Sequence, residues 1–198
     1  PSIFDKAIAE SDIYDESLIE YAKDGADSQT VFERLAVDDI RDATDVLRPV
    51  YEDTNKRDGY VSIEVSPTLA ADTDGTVTEA RRLWAAIDRP NVMIKVPGTP
   101  EGVPAIKTLI SEGINVNVTL LFSLDSYTAA ANAYIEGLSE FAKTARGMPS
   151  AVASVASFFV SRVDSAVDNA LPVGHELRGH IGIAIAKIAY ANFAGLFD

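Results

Sequence analysis

The chain has 198 residues, 47% of them hydrophobic, which suits one compact α/β domain over 1–198 and is too little for two full ones. It carries no cysteine, so disulfides, thiolate metal sites and a cysteine nucleophile are excluded. A formal net charge of −13 argues against nonspecific binding to nucleic acid or anionic membrane, and no apolar run approaches the ~20 residues that span a bilayer. The expected class is a cytoplasmic enzyme or interaction domain.

In chain order, residues 3–22 read as a helix with a break near Ser11-Asp12, and 28–52 as a long amphipathic helix carrying Val31, Leu35, Ile40, Val46 and Val50. Asp58-Gly59 turns the chain into a short strand over 61–66. Thr76-Val77-Thr78-Glu79 matches a capping box that opens a helix to about Ile87. Val92–Val96 is the second predicted strand, followed by a Pro/Gly turn and a helix over 103–112. A third strand covers 114–121, and Ser123 or Asp125 caps an Ala-rich helix reaching about Lys143. A fourth strand over 151–159, a helix over 160–171 and a strongly apolar helix over 176–197 complete the series. About four βα units result, which fit either an open doubly wound sheet or half of a (β/α)8 barrel. The doubly wound alternative lacks a G-x-G-x-x-G turn after its first strand.

Side chains of a strand alternate between its two faces. Ser62, Glu64 and Ser66 share one parity, against Val61, Ile63 and Val65. Asn115, Asn117 and Thr119 share another, against Ile114, Val116, Val118 and Leu120. Lys95 lies between Ile94 and Val96. Strands of a helix-covered parallel sheet are normally apolar on both faces, so polar groups recurring on one face need a cause. On a barrel interior, Glu64, Lys95 and Thr119 would converge near the C-terminal strand ends, where barrel enzymes hold their chemistry. The plainer alternatives are a buried Glu64–Lys95 ion pair with Asn117 satisfying a backbone group, or a face open to solvent. A lysine attacks a carbonyl only as the free amine, and apolar surroundings disfavour the ammonium form. Amide and hydroxyl groups such as Asn117 and Thr119 suit a polyhydroxylated substrate.

Four stretches carry a resemblance: Tyr60 to Pro67, Val92 to Gly102, Glu112 to Ser123, and Ala156 to Asp164. Together, in this order, they resemble the transaldolase family, and Pro1-Ser2-Ile3-Phe4 looks like the end of that family's TSNPSIF segment. The resemblance implies a (β/α)8 barrel of the Schiff-base-forming class. It also implies reversible transfer of a dihydroxyacetone unit between sugar phosphates in the pentose phosphate pathway. Lys95 matches the Schiff-base lysine, and Glu64 and Thr119 match the residues that hold the catalytic water. Asn117 and Ser157 match positions that bind the dihydroxyacetone portion, and Arg162 matches a phosphate-binding arginine. The implied partners are sugar phosphates, with no cofactor, no metal, no nucleic acid and no membrane, in a monomer or homodimer. The family's aspartate base would precede Pro1 and its later strands would follow Asp198. The chain is therefore expected to be an incomplete record, or a fragment, from the central half of a longer polypeptide, with a loop omitted within Leu171 to Gly174.

A fructose-6-phosphate aldolase-like enzyme and a noncatalytic barrel scaffold are the alternatives. The former typically has Gln at the position of Glu64 and lacks the Asn117-to-Ser123 run. His175 and His180 are five apart, off the spacing of a helical metal pair, and are assigned to the surface or a helix end. Trp84 and Tyr134 are assigned to the core rather than to a ligand platform.

Overall fold

The computed structural model describes residues 7–8, 10–23, 25–144 and 147–197; the Pro1–Phe4 motif lies outside them. The chain forms two compact units, residues 1–61 with 83–92 and residues 62–82 with 93–198.

In the first unit, α1 (Asp15–Lys23) precedes α2 (Ser28–Asp53). The predicted break is present: Ser11 to Tyr14 is non-helical. Asp27 caps α2, its carboxylate accepting from the Thr30 N–H at 2.7 Å. Val31, Leu35, Ile40 and Thr44 recur at helical spacing and are buried. Val46, predicted to join that apolar face, is 76% exposed. The Tyr14 hydroxyl donates to Asp39 at 2.6 Å and that of Tyr21 to Asp38, tying α1 and the turn before it to α2. The side-chain amide of Asn91, fully buried, donates to the carbonyls of Thr44 (2.8 Å) and Gly59 (2.9 Å), and its backbone carbonyl accepts from the Val61 N–H. Gly59 has φ +80°, and a Cβ there would lie 2.5 Å from the Tyr51 nitrogen, so the turn requires glycine.

The second unit is built on a sheet. Its strands are β1 (Val61–Glu64), β2 (Val92–Pro97), β3 (Val116–Leu121) and β4 (Ser154–Phe158), in spatial order 1-2-3-4. The connecting helices are α3 (Thr73–Ile87), α4 (Gly102–Ser111) and α5 (Leu124–Phe141), with α6 (Ser161–Ala170) and α7 (Ile181–Phe197) after β4. β2–β3 and β3–β4 pair in parallel, with Lys95 opposite Asn117 and Val118 opposite Ala156. A doubly wound sheet reverses its strand order at a switch point, whereas this one advances monotonically, as barrel strands do. The core lies on the helix side: Ile94, Val96 and Val116 are fully buried, as are Ala105, Ile106, Leu109 and Ile110 of α4. Gly137 lets α5 approach α4, since a Cβ there would meet the Lys107 carbonyl at 2.7 Å.

Three local expectations are corrected. α3 starts at Thr73 rather than at the Thr76 box, because Asp72 supplies the cap by accepting from the Gly75 N–H at 2.9 Å. Glu79 instead reaches outside the helix and accepts from the Ser66 N–H at 2.8 Å. In β3, simple alternation puts Leu120 in the core. A bulge intervenes: Val118 pairs with Ala156 but Leu121 with Phe158, so three residues advance against two. Leu120 is the extra residue, with φ +58° and 36% exposure, and Leu121, fully buried, takes the core position. Trp84 and Tyr134 are half-buried rather than core.

Candidate active site

Because β2, β3 and β4 run parallel, their C-terminal ends lie on one side of the sheet. Glu64 is the last residue of β1, and Lys95 and Thr119 each lie two residues before the end of their strands. The Lys95 Nζ stands 3.6 Å from the Glu64 Oε2. Their side chains are 29% and 36% exposed, so the fully buried ion pair of the plainer alternative is not what forms. Met93, which shares a face with Lys95, is buried, whereas Ile94 and Val96 are buried in the core on the opposite face.

Asn117 contacts side chains rather than backbone. Its Nδ2 donates to the Ser62 Oγ at 3.0 Å, and its Oδ1 accepts from the Ser157 hydroxyl at 2.7 Å. In a flat sheet Ser62 and Asn117, two strands apart, would be separated by about 9.5 Å of backbone. Their hydrogen bond requires the polar face to be concave, as a barrel interior is. An amide has two donor and two acceptor positions. One of each is used here, so Asn117 keeps a fixed orientation and still has a donor and an acceptor for a ligand. Thr119 is fully buried and its hydroxyl has no hydrogen-bond partner. Asn115, immediately before β3, accepts from the Ala153 N–H at 2.8 Å and braces the segment entering β4.

Arg162 lies in the first turn of α6, with its guanidinium carbon 4.4 Å from the centroid of the Phe159 ring. Thus the structure holds Glu64 and Lys95 as an ion pair on β1 and β2, and joins Asn117 of β3 to Ser157 of β4 and Ser62 of β1 by hydrogen bonds. It places Arg162 just past the end of β4. Sequence reasoning missed Ser62 as the anchor of Asn117, although its parity was readable, and Phe159 as the support of Arg162. No group of three or more His, Asp or Glu poised for a metal occurs among the described residues. His175 is partly exposed, and the His180 carbonyl accepts from Ala184 at the start of α7, a helix-end role. No helix is long and apolar enough to cross a membrane among the described residues.

A profile of the Transaldolase/Fructose-6-phosphate aldolase family matches residues 1–196. The chain belongs to this family. Transaldolase-family relatives are similar along its whole length. It is 50% identical over 207 residues to a transaldolase of Trichodesmium erythraeum, covering 98% of this chain and 54% of that protein. It is 50% identical over 202 residues to one of Thiobacillus denitrificans, covering 100% and 56%. The transaldolase of Mycobacterium tuberculosis is 46% identical over 203 residues, covering 100% and 54%. The chain spans about half the length of the curated relatives it matches.

Proposed function

We propose that this chain carries the Schiff-base half of a transaldolase site, which moves a dihydroxyacetone unit from a ketose phosphate to an aldose phosphate. The observation that carries this reading is the 3.6 Å approach of Lys95 to Glu64 at the C-terminal ends of neighbouring strands. Lys95 Nζ attacks the ketose carbonyl carbon and forms a carbinolamine. Loss of the carbinolamine oxygen as water gives the Schiff base, and Glu64 with the Thr119 hydroxyl holds the water that moves protons in that step. Asn117 and Ser157 bind the hydroxyls of the three-carbon unit, and Arg162 binds the phosphate, for which its planar fork is suited. Glu rather than Gln at position 64 favours the transaldolase branch over the aldolase branch.

Sodium borohydride added to the full polypeptide with fructose 6-phosphate is expected to leave a reduced adduct on Lys95, read by peptide mass. Labelling of a different lysine would overturn the assignment. Free dihydroxyacetone formed without an acceptor aldehyde would favour the aldolase branch.

A further inference from the structure

Arg162 is supported by an aromatic ring rather than by a carboxylate. Among the described residues it has no acid within ion-pair distance, and Asp164 in the same helical turn is engaged by the Gly182 N–H at 2.6 Å. The first turn of α6 is preceded by Val160, which offers no side-chain cap, so its N–H groups add partial positive charge near the guanidinium. The ring under Arg162, Phe159, is itself braced. It stacks on Phe122 with centroids 5.0 Å apart and planes 20° from parallel. The backbone fixes this neighbourhood: the Phe159 N–H donates to the Leu121 carbonyl at 2.8 Å, one residue from Phe122.

An exposed aromatic pair is usually incidental. Here two observations speak against that. Phe122 is 41% exposed and therefore contributes little to any core. The pair also follows directly on the bulge at Leu120, a left-handed conformation that a leucine adopts only when its surroundings enforce it.

We infer that Phe122 is a positioning residue for an anion site centred on Arg162, bracing the Phe159 ring so that the guanidinium meets the phosphate of the donor. This rests on the transaldolase reading above. Phe122 thereby sets preference for phosphorylated over unphosphorylated ketoses without touching the aldol chemistry at Lys95.

The test uses the full polypeptide and borohydride trapping at Lys95, titrated separately with fructose 6-phosphate and with unphosphorylated dihydroxyacetone. In Phe122→Ala the half-saturating fructose 6-phosphate concentration is expected to rise roughly threefold to fivefold, while that for dihydroxyacetone stays unchanged. Inorganic phosphate should compete less well against fructose 6-phosphate by a similar factor, and Phe122→Tyr should restore both. An unchanged fructose 6-phosphate titration in Phe122→Ala, or an equal loss for both ligands, would overturn the inference while leaving the Lys95 reading intact. Arg162→Ala separates the two levels. If it leaves the fructose 6-phosphate titration at the parent value, the phosphate role of Arg162 fails, and the role of Phe122 with it.

Discussion

Thr119 is held at a cost to the fold. Its fully buried hydroxyl is engaged by no protein group, and a hydroxyl so placed costs about 1–3 kcal/mol until a water or substrate meets it. Valine has the same shape without that cost, so folding alone would select it. Thr119→Val is therefore expected to keep or raise the thermal midpoint while slowing Schiff-base formation by about a hundredfold or more, the range of a lost proton-transfer group. Thr119→Ser should retain the chemistry. A parallel fall of midpoint and rate in Thr119→Val would show instead that the residue serves packing. Asn117 behaves differently, because Ser62 and Ser157 already satisfy half of its capacity and pin the amide plane. Its strength lies in orientation rather than in a stored imbalance.

At the scale of elements, the turn from β2 into α4 positions Lys95. Gly102 opens α4, and a Cβ on it would lie 1.9 Å from the Pro97 carbonyl oxygen, a collision with backbone that no rotamer change relieves. Gly102→Ala is expected to destabilise the protein by about 3 kcal/mol and to displace the end of β2. Denaturant unfolding measures the first, and loss of borohydride trapping at Lys95 the second. The same elements show what could be read from sequence. Period two in β1 and β3 exposed the Glu64 and Asn117 face directly, because polar residues alternate there with apolar ones, and Lys95 stood out as the single polar residue of β2. Alternation failed at Leu120, since a bulge has no compositional mark, and so the pairing of Phe122 with Phe159 was invisible. The start of α3 was misplaced because Asp72 and Thr76 are both competent caps, and which one serves depends on the preceding turn of Pro67–Leu69.

For the molecule as a whole, a charge of −13 makes acid response the natural probe of surface electrostatics. The Arg89 guanidinium, hydrogen-bonded to Asp45, holds that carboxyl below its ordinary value of 3.8, and the Thr30 backbone N–H does the same for Asp27. Folded carboxyls with lowered values release protons more readily than the unfolded chain does. Their stabilisation is thus present above pH 3.8 and is lost as the pH falls through the folded values. Asp45→Asn is expected to flatten the decline of thermal midpoint between about pH 4 and pH 2, and added salt should do so partly. An identical decline in variant and parent would count against the Arg89 pairing. The β3 bulge has a consequence for the inheritance of this site. One inserted residue shifts the phase of the strand by half a period, so the two ends of the groove obey different rhythms of the same backbone. On the proposed reading, substitutions beyond Leu120 would then retune the grip on a donor's charge while Lys95 and Asn117, lying before it, keep their alignment.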